Sequence, residues 1–317
     1  MPEPTLNAVH INRPLTNLSV AIFNDPNEFL GPFIFPPVAV QKWSDSYFIY
    51  NQADFLRNDV QRRAPGGLYP EVGYGLSTGS YSLAEYALAT DVPDEIRDNS
   101  DDPLSPDADA ITLLTQKFLI ASELRAREAA FNTTNITNNK TLSGGGNYQW
   151  TDYANSSPIT DIYAARKIIR RATLRKPNRM AMGETVWEDA LINHPEFIER
   201  IKYTERSTPN RIRAAMQELF MVDEIRTSGA IYNSANKGAT AVYGDIWGDD
   251  VLLFYSSPTF SLRMPSFAYN LTLGAQGPVI TTKRDDLRDR DVHRGKHICQ
   301  EKIITDSAAY LFKDAVA

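Results

Sequence analysis

The longest regular pattern in this sequence is a run of apolar residues with the spacing of an α-helix. Between residues 106 and 131, apolar side chains recur at intervals of three and four, at Ile111, Leu114, Phe118, Ala121 and Leu124. Ser105 is placed to cap the N-terminus, Pro106 suits the first turn, and an Asn/Thr/Gly tract at 132–146 ends the pattern. The pattern predicts one helix over 106–131, about 25 residues and roughly 37 Å long.

Upstream of this helix, the pattern predicts two strands separated by a long loop. Residues 38–50 (VAVQKWSDSYFIY) and 80–90 (SYSLAEYALAT) are rich in β-branched and aromatic side chains, as strands are. The segment 51–78 between them is rich in glycine, proline and arginine. Loops longer than about 12 to 15 residues are uncommon inside compact domains and are usually functional or disordered. We therefore expect this loop to contact something outside its own domain.

The rest of the chain mixes helix and strand patterns in irregular order. The predicted helices are 160–176, 184–193, 195–200 and 208–219, and the predicted strands are 179–182, 221–225, 240–243, 251–256, 267–273 and 302–312. This order lacks the alternation of βαβ units, so the sequence predicts an α+β fold. Residues 1–37, rich in Pro and Asn, fit either an extended arm that docks onto a neighbouring surface or a disordered tail.

The composition excludes several classes of protein. With 317 residues, 42% of them hydrophobic, the chain can bury one or two cores. The net charge of −6 argues against a dedicated nucleic-acid reader, but not against a wall that surrounds nucleic acid. Cys299 is the single cysteine, which excludes an intrachain disulfide framework. We expect neither a membrane span, which needs roughly 18 to 20 apolar residues, nor a secretory signal peptide.

Two short motifs raise the question of catalysis or metal binding. Residues 75–79 (GLSTG) match the nucleophile elbow of hydrolases, which needs a buried strand before Ser77 and a helix after it. Here a loop precedes the serine and a strand pattern follows it. His293, His297 and Cys299 could supply three metal ligands, but a structural zinc site normally has four. We therefore expect no catalytic residue, no metal site and no cofactor.

Two charged segments have alternative interpretations. Residues 283–296 (KRDDLRDRDVHRGK) alternate in sign, which favours a solvated loop, with ion pairing between subunits as the alternative. The predicted helix 160–176 carries a basic stripe, for which contact with nucleic acid is one interpretation, and Ile162, Ile168, Ile169 and Leu174 are available for packing. The stripe consists of Arg166, Lys167, Arg170, Arg171, Arg175 and Lys176.

The order of these parts resembles that of the tailed-bacteriophage major capsid proteins of the Hong Kong 97 type. An arm, a strand, a long Gly-rich loop with its returning strand, a long helix and a mixed region closed by late strands follow one another along nearly the whole chain. The segment NRMAMGETVWEDALINHPEFIERI looks like a strand and helix of that family's axial domain. The segments SFAYNLTL and KIITDSAAYLF look like the closing strands of its peripheral domain.

The resemblance implies an α+β fold of the Hong Kong 97 type with five parts. These are an N-terminal arm (1–37), a strand plus the extended two-stranded E-loop (38–98), a peripheral domain with a long spine helix (99–160), an axial domain (161–260), and the closing strands of the peripheral domain (261–317). A protein of this family would be a structural head protein and not an enzyme. Copies of it would form the pentamers and hexamers of an icosahedral shell around double-stranded DNA.

The resemblance also implies partners and a location. Members that carry their own scaffold have a long, charged, helical N-terminal extension, which residues 1–37 do not resemble, so a separate scaffolding protein is expected. A portal and, where present, a decoration protein are the other implied partners. The expected location is the virion, after assembly in the cytoplasm of a bacterial host. Some members cross-link an E-loop lysine to a neighbour's asparagine, but this chain has no lysine between Lys42 and Lys117.

The expected interface follows from the physics of a long loop and an extended arm. Such segments cannot bury their apolar side chains within one subunit, whereas laid across a neighbour they can. We expect the loop arginines to meet carboxylates of the next subunit. The predicted interface residues are Phe29 and Phe33 in the arm, and Phe55, Arg57, Arg62, Arg63, Leu68, Tyr69 and Tyr74 in the loop.

Two alternatives stay open at this point. An encapsulin is a bacterial nanocompartment of the same fold that encloses an enzyme cargo in place of DNA. A hydrolase using Ser77 belongs to a different class and would need a catalytic triad and a pocket.

Overall fold

The computed structural model describes residues 24–50, 52–100, 104–201, 209–257, 265–274 and 277–317. Most of the predicted arm, residues 1–23, lies outside these ranges. The helices are α1 (Gly31–Ile34), α2 (Gln52–Leu56), α3 (Asp94–Asp98), α4 (Pro106–Ala130), α5 (Pro158–Thr173), α6 (Pro195–Ile201) and α7 (Pro209–Phe220), with 3₁₀ turns at Pro26–Glu28 and Asp306–Ala308 and a π-helix at Val186–Leu191.

Strands alternate irregularly with these helices, as an α+β fold requires. The strands are β1 (Pro37–Val40), β2 (Ser44–Tyr50), β3 (Leu76–Ser82), β4 (Ala84–Pro93), β5 (Asn139–Thr141), β6 (Arg179–Gly183), β7 (Glu224–Ser228), β8 (Ile231–Asn233), β9 (Tyr243–Asp245), β10 (Val251–Phe254), β11 (Ala268–Leu273), β12 (Val279–Asp285), β13 (Arg290–Ile303) and β14 (Ala309–Lys313).

The predicted long helix is confirmed, because α4 runs for 25 residues from Pro106. Ser105 occupies the N-cap position, but its side chain makes no capping hydrogen bond. Asp107, in the first turn, instead accepts hydrogen bonds from Arg97 and His293. The start of α4 is therefore held by contacts with other elements and not by its own cap. No helix in the described ranges is both long and apolar enough to cross a bilayer.

The first sheet is organised around β13, its longest strand. The order is β1-β11-β13-β12, and β4 also pairs with β13, antiparallel from Ala84 opposite Cys299 to Pro93 opposite Arg290. Helix α4 lies across this sheet, where Gly295 of β13 faces the ring of Phe118. The side chain of Arg125 forms an ion pair with Glu301 at 3.1 Å. The absence of a side chain at residue 295 thus lets α4 approach the strand closely.

Replacing Gly295 by alanine is expected to destabilise the contact between α4 and the sheet. A Cβ atom at this position would overlap Cε2 of Phe118, well inside van der Waals contact. Overpacking of this kind typically costs about 1 to 3 kcal/mol. Urea unfolding of Gly295→Ala measures the loss, and adding Phe118→Leu should restore part of it. A single variant as stable as the parent would contradict this account of the contact.

The second sheet, ordered β5-β14-β10-β6-β7, separates two hydrophobic cores. All four residues of β10 are buried, as expected for a strand covered on both faces. Val251 and Leu253 pack into a core with α5, α6 and α7, whereas Leu252 and Phe254 pack into a core with α1 and α4. Successive side chains of β10 therefore enter different cores, so this one strand joins the two cores.

One residue of the predicted basic stripe on α5, Arg166, is buried. Arg166 is 9% exposed, and its guanidinium donates hydrogen bonds to the carbonyls of Phe220 and Met221 at the end of α7. Burial lowers the pKa of this arginine from its ordinary value. Arg166 therefore joins two helices and is not part of an exposed stripe.

A buried carboxylate in α4 holds the short helix α1. Glu123 is 2% exposed and accepts hydrogen bonds from the backbone N–H groups of Leu30 (3.1 Å) and Gly31 (2.6 Å). It also accepts one from the indole of Trp247 (2.9 Å). The N–H groups at the start of a helix lack partners within it, so Glu123 supplies an acceptor from a distant part of the chain. Three separate segments thus meet at one side chain.

The titration of Glu123 gives the subunit a pH-dependent stability. Burial raises the pKa of Glu123 from 4.5 to about 7. Between these values the folded subunit holds a proton that the unfolded chain releases, so stability falls as pH rises through this window. We expect Glu123→Gln to remove about 2 to 3 kcal/mol of pH dependence between about pH 5 and about pH 8. Urea unfolding of both proteins at the two pH values measures it, and equal dependence in both would contradict the assignment.

The interpretation of residues 283–296 as a solvated loop is correct only for the turn at 286–289. Residues 283–285 belong to β12 and residues 290–296 to β13, and these strands pair antiparallel from Val279 opposite Lys296 to Asp285 opposite Arg290. Arg97 forms ion pairs with both Asp107 (2.8 Å) and Asp291 (2.7 Å). Arg284 and Arg290 likewise pair with aspartates of β4, α3 and the hairpin itself. The charges in these ion pairs therefore join elements of the same chain.

Candidate assembly interface

β2 and β3 form a two-stranded ribbon that belongs to neither large sheet. They pair antiparallel from Ser44 opposite Ser82 to Tyr50 opposite Leu76. At the base of the ribbon, the N–H group of Leu83 donates to the carbonyl of Trp43 at 2.8 Å. We call residues 44–82, with α2 and the coil that follows it, the ribbon loop. Because an isolated two-stranded hairpin is only marginally stable in water, we expect its distal part to need further contacts.

The ribbon loop exposes many large apolar side chains. Phe48, Ile49 and Tyr50 are consecutive in β2 and all exposed, so both faces of the ribbon carry apolar groups. Monomeric proteins rarely expose contiguous apolar surface of this kind unless it serves an interaction. The large apolar side chains of the ribbon loop that are at least 40% exposed are Phe48, Ile49, Tyr50, Phe55, Leu56, Val60, Leu68, Tyr69, Val72, Tyr74 and Leu76.

Three aromatic rings form a cluster where the ribbon ends. The ring centroids of Phe55 and Tyr74 are 5.6 Å apart, and that of Tyr50 is 6.0 Å from Phe55. The N–H group of Gly75 donates to the Asp54 carboxylate at 2.9 Å, which holds the two sides of the loop together. Phe55 and Tyr74 are still each 60% exposed. The cluster is thus a preformed apolar surface and not a core.

Arg63 gives local order to the tip of the ribbon loop. Its guanidinium lies 4.0 Å from the ring centroid of Tyr69 and donates a hydrogen bond to the carbonyl of Gly67 at 2.9 Å. Gly66 has a φ of +77°, a conformation that favours glycine. The adjacent Leu68 is 95% exposed. Arg63 therefore contacts residues of its own loop, whereas the sequence led us to expect that it meets a carboxylate of another subunit.

The structure separates the predicted interface residues into two groups. Those in the loop lie on one continuous exposed segment, and Arg57 and Arg62 there form no ion pair with another described residue. Phe29 and Phe33 require a correction, because they are 4% and 3% exposed and lie in the core with α1 and α4. The subunit itself covers these two rings, so they offer little surface to a neighbour.

Sequence reasoning missed several exposed apolar residues of the ribbon loop, among them Phe48, Val60 and Val72. Val60 is 90% exposed. The signal in the sequence is the run YFIY at 47–50, because consecutive apolar residues do not fit a strand with one solvated face. Such a run requires cover on both faces, which the subunit does not provide.

The serine motif at 75–79 lacks the geometry of a nucleophile elbow. Ser77 is exposed within β3, and the strand continues to Ser82 where a helix would be needed. A different serine, Ser156, lies 3.0 Å from Nε2 of His194. However, Nδ1 of His194 accepts the N–H of Glu196, so the proton is on Nε2 and His194 donates to Ser156. A histidine with its proton on this nitrogen cannot take the proton of Ser156.

The three candidate metal ligands near the end of the chain have other partners. His293 bonds to Asp107 and Thr282, each at 2.9 Å. His297 lies 3.5 Å from Sγ of Cys299, and burial raises the pKa of Cys299 to about 11. Within the described ranges, no group of three or more His, Cys, Asp or Glu side chains is arranged to hold a metal ion.

Comparison with solved structures finds similarity along almost the whole chain. A phage-related protein from Bordetella bronchiseptica RB50 is 24% identical, with a TM-score of 0.68 over 93% of this chain and 99% of that one. The capsid structure of the cyanophage P-SCSP1u is 10% identical, with a TM-score of 0.64 over 95% of this chain and 91% of that one. The mature capsid of bacteriophage PhiM1 is 12% identical, with a TM-score of 0.58 over 96% and 92%.

The comparisons by sequence have a different outcome. No model of a known protein family matches the chain, and no curated protein sequence matches it. Three observations support the same fold. They are the order of the elements, the long helix α4 across a sheet centred on β13, and the match to 91% and 92% of the length of two phage capsid chains. This chain has the Hong Kong 97-type capsid fold.

Proposed function

We propose that this chain is the major capsid protein of a tailed bacteriophage and that it assembles with copies of itself into an icosahedral shell around double-stranded DNA. The observation that carries the proposal is the ribbon loop. On a capsid fold, it presents a long series of apolar side chains that the subunit does not cover. Contact with neighbouring copies would bury them, and the role of the chain is structural and not catalytic.

In this proposal the parts of the fold take the roles of a capsid subunit. The ribbon loop, within residues 38–98, is the E-loop, and α4 is the spine helix of a peripheral domain that includes 99–160 and the closing strands of 261–317. Residues 161–260 form the axial domain, and residues 1–37 the N-terminal arm. The burial of Phe33 against Phe254, whose rings are 5.7 Å apart, supports an arm whose final part is fixed to its own subunit.

The proposed contact between subunits is heterologous. The ribbon loop of one copy would lie on a different surface of the next, and repeated contacts of this kind close into rings such as pentamers and hexamers. A standard interface buries about 1,600 Å² in total, with a few aromatic and arginine anchors at its centre. Leu68, Tyr69 and the pair Phe55 and Tyr74 supply such anchors, and Arg57 and Arg62 would meet carboxylates of the neighbour.

The remaining partners follow from the same role. A scaffolding protein would direct the curvature of the shell, a portal would occupy one vertex, and a decoration protein could bind the outside. Assembly would take place in the cytoplasm of the bacterial host, and the product would be part of the virion. Since no lysine lies between Lys42 and Lys117, the proposed shell is held by noncovalent contacts at the E-loop.

Expression of the chain, alone and with its scaffolding protein, tests the proposal. Size-exclusion chromatography and negative-stain electron microscopy should show closed shells or rings of five or six subunits. A stable monomer or dimer under every condition would overturn the proposal. Shells that contain a co-purifying enzyme and never DNA, when produced in the native host, would instead identify an encapsulin.

A further inference from the structure

The exposed face of α5 carries a group of cations that have no ion-pair partner in the described part of the chain. Lys167, Arg170 and Arg171 are spaced at i, i+3 and i+4 and therefore share one face of the helix. Arg175 and Lys176 follow directly after the helix ends. All five side chains are exposed. We call these five residues the α5 basic patch.

The opposite face of α5 fixes the direction in which the patch points. Ile162, Ala165 and Ile169 are buried in the core beneath the second sheet. Arg166 is anchored to the carbonyls of Phe220 and Met221. The helix cannot rotate without breaking these contacts, so the cations of the patch are held toward the outside of the subunit.

The α5 basic patch differs from the other arginine-rich region of the molecule. Near the β12–β13 hairpin, Arg97, Arg284 and Arg290 each pair with two or more aspartates. Within the described part of the chain, no cation of the patch forms an ion pair. Five positive charges without an ion-pair partner therefore lie within residues 167–176 of a chain whose net charge is −6.

Stabilisation of the helix by its own terminal charges explains only part of the patch. Cations in the last turn interact favourably with the negative end of the helix dipole, which accounts for Arg170 and Arg171. The effect falls off within that turn, so it does not account for Lys167, nor for Arg175 and Lys176 beyond the helix end. A polyanion with closely spaced charges would engage all five.

We propose that the α5 basic patch binds the phosphate backbone of the enclosed double-stranded DNA, without regard to base sequence. This proposal rests on the proposed function and adds which surface faces the DNA. Duplex DNA carries one negative charge per about 1.7 Å of its axis, so several phosphates lie within reach of one patch. Exposed apolar groups beside the patch are few, with Leu174 at 57% and Ile168 at 38%, which favours a polyanion over an amphipathic protein segment.

Fluorescence anisotropy measures the affinity of unassembled full-length subunits for a mixed-sequence DNA duplex of about 30 base pairs. We expect a slope of about −4.5 when log K is plotted against log salt concentration, because each neutralised phosphate contributes about −0.9. The variant Lys167→Gln/Arg170→Gln/Arg171→Gln should bind at least about tenfold more weakly, with a slope near about −1.8. A second duplex of different sequence should bind equally.

The matched control removes three other exposed cations, in the variant Lys283→Gln/Arg288→Gln/Arg294→Gln. It changes the net charge by the same amount and should retain the slope and affinity of the parent. Equal loss in both variants would overturn the proposal, since binding would then depend on total charge. Weaker binding to the scaffolding protein by the patch variant, with unchanged binding to DNA, would also overturn it and assign the patch to a protein partner.

The side of the shell on which the patch lies gives an independent test. An amine-reactive polymer too large to enter the shell should label Lys167 in dissociated subunits but not in intact particles, as mass spectrometry of the peptides would show. Labelling in intact particles would overturn the proposal. Failure of the parent chain to assemble would count against the proposed function, whereas normal particles with patch-independent DNA binding would count against this inference alone.

Discussion

Replacing Leu68, Tyr69 and Val72 by serine is expected to give a folded subunit that no longer assembles. These side chains are 95%, 76% and 71% exposed, so the free subunit loses little, within about 0.5 kcal/mol for each change. In the shell they would be buried anchors, each contributing about 2 kcal/mol or more. Because about 1.4 kcal/mol changes an equilibrium tenfold, the concentration needed for assembly should rise at least about a hundredfold.

Light scattering during assembly and electron microscopy of the products measure this effect, and circular dichroism checks the fold. The chain offers a control with the same three residue types, Leu287→Ser/Tyr243→Ser/Val242→Ser, at positions 96%, 71% and 57% exposed outside the ribbon loop. The control should assemble like the parent. Normal shells from the ribbon-loop variant, or equal failure of both variants, would remove the basis for assigning the interface to this loop.

Replacing Glu123 by alanine should produce a large loss of stability, about 3 to 5 kcal/mol. The substitution leaves the N–H groups of Leu30 and Gly31 and the indole of Trp247 without their acceptor. Each buried donor left without a partner costs about 1 to 3 kcal/mol, and water entering the space vacated by the side chain offsets part of the total. After the substitution, α1 is held to α4 by apolar packing alone.

Thermal or urea unfolding of Glu123→Ala checks this expectation against two further variants. Glu128→Ala removes an exposed carboxylate from the same helix and should change stability by no more than about 0.5 kcal/mol. Glu123→Gln retains one acceptor oxygen and should lie between the parent and the alanine variant at neutral pH. A loss in Glu123→Ala as small as that in Glu128→Ala would show that the three donors find other partners.

The sequence was sufficient to predict a helix or strand where the local pattern and the tertiary packing agree. The apolar spacing and Pro106 predict α4 to within one residue of its observed end at Ala130. The buried run at 251–256 correctly predicts β10, since four successive apolar residues suit a strand covered on both faces. The strand patterns at 38–50 and 80–90 likewise fall on observed strands, although each is divided in two.

Prediction failed where distant residues determine the structure. The charges of 283–296 indicated a loop because their partners, such as Asp91 and Arg97, lie about 200 positions away in the sequence. Phe29 and Phe33 were predicted to lie in an exposed arm because the local sequence shows no helix there. The helix α1 has only four residues, and it depends on a hydrogen bond to Glu123 of α4. Neither set of contacts leaves a periodic signal in the local sequence.

The position of the candidate interface stays a prediction. A long Gly- and Pro-rich segment between two strands indicated a loop, and the strands on either side of it, β2 and β3, pair with each other outside the two large sheets. The engagement of Arg63 with Tyr69, and the aromatic cluster around Phe55, depend on how the chain turns at Gly66 and on the pairing of β2 with β3. Those details determine which side chains remain available to another subunit.

The pairing of β4 with β13 also has a consequence for how the protein is made. Asp91 pairs with Val292, and Pro37 of β1 pairs with Asn270, so the first sheet joins strands that are made far apart in time. Pairing over such sequence distances slows folding, and strand edges that wait for a partner promote aggregation. During translation β1 and β4 remain without their partners until β11 and β13 emerge from the ribosome. We therefore expect the yield of soluble subunits to depend on chaperones and on the rate of translation.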